Sequence, residues 1–117
     1  MNWMKMMRPE DVQRLVINGQ EQAKVKGTSK EIDFEPVVRL HIAGTDMMWL
    51  LTELEDTEIA FGLCQIFVAE LGSVWLPELA DMDVQGLRVV QDVHFKPKMT
   101  LSAYARQARA NGGLLVL

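Results

Sequence analysis

Apolar residues recur along the chain with two different periods, and each period predicts one type of element. From Pro9 to Asn18 they recur every three or four positions, which indicates an amphipathic helix that stops at Gly19. The same period returns after Thr100, a residue that favours the N-cap, and predicts a C-terminal helix. A short helical turn is predicted after Pro77.

Alternation of apolar and polar positions dominates the middle of the chain. Val38, Leu40 and Ile42 alternate with Arg39 and His41, which predicts a half-buried strand. By the same reasoning we predict a loop over 24–33 and strands over residues 37–42, 47–55, 59–68, 74–76 and 87–95. Short connections indicate hairpins, so we expect an α+β fold with a mostly antiparallel sheet of about five strands and helices packed on one face.

The length of 117 residues is typical of one domain, and we expect a single domain over residues 1–117. An apolar fraction of 49% indicates a packed core rather than disorder. Residues 1–8 are expected to form an N-terminal extension, and residues 113–117 an apolar tail. We expect the tail to dock on the domain or on a second copy, which leaves a homodimer through the tail open.

Composition also bears on location. No stretch reaches the roughly 18 apolar residues that a membrane helix needs, and the N-terminus is too interrupted for a secretory signal. The single cysteine, Cys64, lies in an apolar run and fits a buried thiol in a reducing compartment better than a catalytic one. We therefore expect a cytoplasmic protein without a membrane partner.

Charge is distributed unevenly along the chain. The net charge is −4, yet residues 46–83 hold nine acidic residues and no Lys or Arg. This balance argues against non-specific nucleic-acid binding, which needs a net basic surface. The basic C-terminal part keeps nucleic-acid binding open as an alternative, through Lys96, Lys98, Arg106 and Arg109.

Six segments occur in an order and spacing that resemble a bacterial family known as domain of unknown function 2958. They are Pro36–Leu40, Trp49–Leu54, Ile59–Cys64, Glu70–Val74, Asp92–Pro97 and Leu101–Ala105. The resemblance covers about residues 12–112. It implies a small stand-alone protein, often carried on plasmids and integrative elements, with no accepted activity and no established catalytic residues.

One polar cluster could carry chemistry. On a strand, Asp92, His94 and Lys96 would share a face at a spacing of about 7 Å. If the strands are neighbours, His41 and His94 could converge with a carboxylate into a metal or acid–base site, and Asp92, His94 and His41 are the catalytic candidates of an enzyme. The alternative is a solvated sheet face with ordinary cross-strand pairs. Motifs typical of metal or cofactor sites are absent from the sequence, so we predict neither.

A docking surface is the other candidate. Glu53, Glu55 and Glu58 cluster around one predicted turn, and Trp3 lies in a segment with Met1 and other methionines that could adapt to a partner. A solvated turn and a core tryptophan are the alternatives. We favour a non-enzymatic interaction protein of a mobile element, modulating a host defence or DNA-handling protein. A small metal-assisted hydrolase or nuclease and a weak nucleic-acid binder remain alternatives.

Overall fold

A computed structural model describes residues 2–117 of the chain. In that range a short 3-10 helix, Trp3–Met6, precedes the α-helices α1 Pro9–Ala23, α2 Leu76–Asp81 and α3 Leu101–Ala110. The strands are β1 Val38–His41, β2 Met48–Leu54, β3 Ile59–Gln65, β4 Ala69–Trp75, β5 Asp83–Val84, β6 Leu87–Arg88 and β7 Val90–Gln91. None of the helices in this range has the length and apolar character that crossing a bilayer requires.

Five strands form one antiparallel sheet in the order β4-β3-β2-β1-β7, and β5 and β6 form a separate hairpin. The alternation predicted for the first strand sets its register, because Leu40 lies opposite Trp49 and both side chains are buried. The predicted α+β fold with a five-stranded antiparallel sheet is confirmed.

The helices cover both faces of this sheet, so the prediction that they pack on one face is wrong. Trp49 and Leu51 of β2 pack with Leu15 of α1 in one core. Leu50, between them in β2, packs with Tyr104 of α3 in a second core. Because successive side chains of a strand point to opposite faces, the two cores lie on opposite sides of β2. A central strand with four successive apolar residues, Met48 to Leu51, needs cover on both sides.

Helix α1 continues past its predicted stop. Asn18 is buried and donates from Nδ2 to the carbonyl of Thr52 at 2.9 Å. A Cβ on Gly19 would lie 1.9 Å from the carbonyl oxygen of Leu54. Gly19 therefore lets the helix approach β2 closely rather than ending it, and α1 runs to Ala23.

The reversal between β3 and β4 lies earlier than the sequence predicts. β3 ends at Gln65, and the apolar residues Ile66–Val68 form the turn instead of continuing the strand. Gly72, which lies between the predicted strands 59–68 and 74–76, is part of β4 and pairs with Gly62. As a result the side chain of Phe67 is 86% exposed at the tip of the hairpin.

The segment between α1 and β1 contacts helices of both cores. Gln22 of α1 exchanges two hydrogen bonds with the backbone of Ile32, at 2.8 and 2.9 Å. The next residue, Asp33, accepts a hydrogen bond from the backbone N–H of Ser102 in α3 at 3.1 Å. Thr100 occupies the predicted N-cap position, but its side chain makes no capping hydrogen bond. Asp33 caps α3 in its place.

Both ends of the described chain pack against the sheet. Trp3 and Met7, assigned from the sequence to an extension, are buried in the core under α1. In the C-terminal tail, Leu115 is buried in the α3 core and donates its N–H to Oε1 of Gln65 at 2.6 Å. The tail thus docks on its own domain, without forming a strand, while Leu114 and residues 116–117 stay exposed.

Candidate functional site

The predicted face of Asp92, His94 and Lys96 does not form, because the chain turns where β7 ends. The N–H of Phe95 donates to the carbonyl of Asp92 at 3.2 Å, which closes a turn over residues 92–95. Alternation of side chains holds only in an extended strand, so these residues do not line up. The sequence prediction that extended the strand to Phe95 is wrong.

Asp92 instead joins β7 to β1. Its Oδ2 accepts from Nη1 of Arg39 at 3.1 Å, and its Oδ1 accepts from the backbone N–H of His94 at 3.0 Å. The N–H of Asp92 also donates to the carbonyl of Arg39 at 2.9 Å. Both carboxylate oxygens therefore have partners, and His94 contacts Asp92 through its backbone while its side chain is exposed.

His41 is the half-buried member of the predicted set. Burial lowers the pKa of His41, and the nearby charge of Arg39 lowers it further, while Asp92 acts in the opposite direction. Across residues 2–117, no three His, Cys, Asp or Glu side chains come together in a way that could hold a metal ion. The predicted convergence of His41, His94 and a carboxylate into a ligand set is therefore not observed.

The Cys64 thiol is half-buried in β3. Burial raises the pKa of Cys64 to about 11, so the thiol stays protonated at neutral pH. Because the thiolate is the nucleophile, this environment suits a packing role.

The predicted acidic cluster is divided by burial. Glu53 is buried, and its Oε1 accepts from the hydroxyl of Thr52 at 2.7 Å. Burial raises the pKa of Glu53, and the charge of Glu55 adds to this effect, although hydrogen bonds from Thr52 and Gln22 act against it. Glu53 is therefore unavailable to a partner at the surface.

The other two acids of the cluster differ in their contacts. Glu55 pairs with Nζ of Lys26 at 3.1 Å and also accepts from the hydroxyl of Ser73. The hydrogen bond to Glu55 raises the pKa of Lys26. Glu58 is exposed and contributes its carbonyl to the N–H of Leu76. The structure therefore presents Glu55 and Glu58 at the surface but not as one patch with Glu53.

A groove of about 470 Å³ lies between α1 and the β2–β3 turn. We call it the α1 groove, and its lining is mostly apolar: Trp3, Met4, Val12, Val16, Gly19, Gln20, Ala23, Leu54, Glu55, Asp56 and Thr57. Trp3 is only 4% exposed, so it forms part of the core rather than an exposed anchor. Met1, named with Trp3 in the sequence prediction, lies outside the described residues.

The basic residues of the C-terminal part fall into two pairs. Lys96 and Lys98 line a cavity of about 300 Å³ together with Tyr104. Arg106 and Arg109 lie on the exposed side of α3 and do not line that cavity. The structure brings together two of the four basic candidates.

The comparison with known families covers nearly the whole chain. Residues 6–115 match the family described as "Protein of unknown function (DUF2958)". The chain belongs to this family. The resemblance noted from the six segments is thereby confirmed for the DUF2958 family. No curated protein and no solved structure shows significant similarity to the chain.

Sequence reasoning on this DUF2958 protein missed the α1 groove as a site. Val12, Leu15 and Val16 recur at helical spacing in the sequence, but Leu15 is fully buried against the sheet, whereas Val12 and Val16 line the groove. The available signal was the width of the apolar stripe, because α1 carries apolar residues beyond those that β2 can cover.

Proposed function

We propose that this DUF2958 protein is a non-enzymatic interaction protein whose docking site is the α1 groove. The observation that supports this most is the groove itself, an apolar channel of about 470 Å³ that residues 2–117 leave open. Contiguous apolar surface of this kind is typical of interaction sites on small proteins. Two residues singled out from the sequence, Trp3 and Glu55, line it.

The shape of the groove favours a helical partner segment. A second cavity, of about 510 Å³, shares Met4, Val12 and Val16 with the α1 groove and continues it toward Pro9. The combined channel follows α1, whose fifteen residues span about 20 Å. An amphipathic helix of three to four turns fits this length, and its apolar face would replace water along Val12 and Val16.

Charge at the rim favours a basic residue on that helix. Glu55 and Asp56 border one end of the groove, and residues 46–83 contain no Lys or Arg that would repel a cation there. Lys26 neutralises part of the charge of Glu55. Asp56 is exposed and uses one carboxylate oxygen locally, to accept from the N–H of Thr57. A Lys or Arg of the partner would pair best with Asp56.

We place this partner in the setting that the sequence analysis expects, a host or element-encoded protein of defence or DNA handling in the cytoplasm. The support for this setting is the resemblance alone. The enzyme alternative has less support, because the carboxylate of Asp92 is held by Arg39 and His94 and joins two strands.

The test is affinity capture from the native host followed by calorimetry with the captured partner and with a peptide of its helix. Val16→Glu, in the groove, is compared with Val93→Glu, at an exposed site that does not line it. We expect Val16→Glu to weaken binding by about tenfold or more, since a charge enters an apolar contact. Equal affinity of the two variants would contradict the proposal.

A second pair of variants tests the charge argument. Asp56→Lys is compared with Glu58→Lys, because both positions are exposed and close in sequence but only Asp56 lines the groove. We expect the first reversal alone to weaken binding. Should Glu58→Lys have the larger effect, the partner would lie outside the α1 groove.

A further inference from the structure

The two edges of the five-stranded sheet differ in length and in protection. One edge is β7, which has only the two residues Val90–Gln91. The other is β4, which has seven residues, Ala69–Trp75, and Glu70 as its one charged residue. Short edge strands and edge charges prevent sheets from pairing with other chains. β4 has neither protection along most of its length.

The hydrogen bonds at both ends of β4 show which backbone groups point outward. The N–H of Leu76 donates to the carbonyl of Glu58, toward β3, whereas the N–H of Ala69 donates outward to the carbonyl of Gly113. Because inward and outward groups alternate in an antiparallel ladder, the N–H and C=O groups of Leu71 and Ser73 point outward. Within residues 2–117 these four groups have no hydrogen-bond partner.

We infer that β4 pairs antiparallel with β4 of a second copy, around a two-fold axis beside Gly72. The free stretch is symmetric about Gly72, with one unpaired residue on each side. In this register Leu71 lies opposite the partner's Ser73, and Ser73 opposite the partner's Leu71, so four hydrogen bonds form. The two sheets then become one continuous sheet, and the interface is self-complementary as two-fold symmetry requires.

The two neighbouring registers would leave some of the outward N–H and C=O groups of β4 without a hydrogen-bond partner. An axis at Leu71 would place Ser73 opposite the partner's Ala69, whose N–H already bonds to Gly113. An axis at Ser73 would place Leu71 opposite the partner's Trp75, which is the N-cap of α2 and leaves the strand there. With the axis at Gly72 all four free groups of Leu71 and Ser73 are paired, and the Ala69 and Trp75 positions meet only beyond them, at the ends of the paired stretch.

The side chains agree with this register. Gly72 meets the partner's Gly72 in the closely spaced type of antiparallel pair, and nothing lies within 4 Å of a Cβ built on it. Glu70 lies opposite the partner's Val74, so like charges do not face each other. Leu71 and Trp75, respectively 47% and 53% exposed, gain cover along the new strand pair. Trp75 comes beside the partner's Ala69, where the apolar tail begins.

The first test is the mass of the full chain in solution, by sedimentation equilibrium over a range of concentrations. We expect a monomer of 13.3 kDa in equilibrium with a species of twice that mass. Leu71→Lys is compared with Leu87→Lys, in the β5–β6 hairpin, because both leucines are 47% exposed. Leu71→Lys should weaken dimerisation by about tenfold or more and Leu87→Lys should leave it unchanged.

The second test determines the register of the strand pair from disulfide formation. It uses a Cys64→Ala background, because Cys64 lies beside Gly72. Gly72→Cys places two thiols across the closely spaced pair, at about 4.5 Å between Cα atoms, whereas Ser73→Cys places them on a diagonal of roughly 8 Å. We expect a disulfide-linked dimer for the first variant and no disulfide link for the second.

Two results would overturn the inference. One is a wild-type chain that stays monomeric at roughly millimolar concentration, even if β4 then binds an extended peptide. The other is cross-linking through Ser73→Cys that equals or exceeds that through Gly72→Cys. Circular dichroism of each variant shows whether it is folded. None of the substituted residues lines the α1 groove, and only Ser73→Cys removes a contact of its lining, the hydrogen bond from the Ser73 hydroxyl to Glu55.

Discussion

The carboxylate of Asp33 accepts hydrogen bonds from both the backbone N–H and the hydroxyl of Ser102, a residue 69 positions further along the chain. In most helices a residue at the N-cap satisfies the first free N–H groups. Here a loop that leaves α1 does so for α3, and the carbonyl of Phe34 accepts from Leu101 at 2.8 Å. The loop therefore couples the helices of the two cores.

Asp33→Ala should lower the free energy of unfolding by about 1 kcal/mol at neutral pH, as the loss of a cap does. Partial burial alone would raise the pKa of Asp33, but hydrogen bonds from Ser102 and Thr100 and the charge of Arg106 lower it below 3.8. The difference in the free energy of unfolding between wild type and Asp33→Ala should thus be complete above about pH 4. It should vanish as the pH falls through the pKa of Asp33 in the folded protein. Urea denaturation between about pH 2 and 7 measures it, with exposed Glu35→Ala as the control. A difference independent of pH would contradict the role of the charge.

Gly19→Ala should destabilise the protein although alanine favours helices. In an isolated helix the change stabilises by about 1 kcal/mol. Here the new Cβ would lie 1.9 Å from the carbonyl oxygen of Leu54, so α1 and β2 must separate, at a cost of about 1–3 kcal/mol. Denaturant midpoints are compared with those of Gly72→Ala, where the Cβ meets nothing within 4 Å. A gain in stability for Gly19→Ala would show that the helix does not approach β2 as described.

Glu53→Gln should make stability less dependent on pH. Burial raises the pKa of Glu53 above 4.5, so the folded wild type binds more protons than the unfolded chain and loses stability as the pH rises from 4.5 through the folded pKa. Glutamine keeps an acceptor for Thr52 and cannot ionise. The variant should therefore unfold at a higher temperature than wild type near pH 7, and the difference should shrink near pH 4.

Thermal unfolding of Glu53→Gln at both pH values checks this, with exposed Glu58→Gln as the matched control. The proposal that burial dominates at Glu53 fails if both variants respond to pH alike.

Strand β1 could be predicted because its alternation is set by burial on the sheet. Val38, Leu40 and Ile42 point into the core as their spacing indicates. The β3–β4 reversal could not be predicted, because its turn is built from Ile66–Val68, which carry none of the usual turn residues. Gly72 is typical of a turn by type, but it lies in a strand opposite Gly62.

The candidate site shows the same limit. Period-two alternation continues past Gln91 in the sequence, but the chain turns because Asp92 bonds to the N–H of His94 and to Arg39, a residue of another strand. Local pattern carries no information about such a contact. Trp3, a docking candidate from the sequence, lines the α1 groove, but it is buried because it packs under α1. Its part in binding a partner stays a prediction.

The burial of β2 on both faces has a consequence for sequence variation. From Met48 to Glu53 every residue of this strand is buried, so a substitution there disturbs the core under α1, the core under α3, or both through the backbone. Selection for packing alone should hold this strand nearly constant among relatives. A constant β2 sequence among relatives would therefore reflect the packing of the fold rather than a binding function. Sequence differences in the exposed lining of the α1 groove would instead indicate that relatives bind different partners.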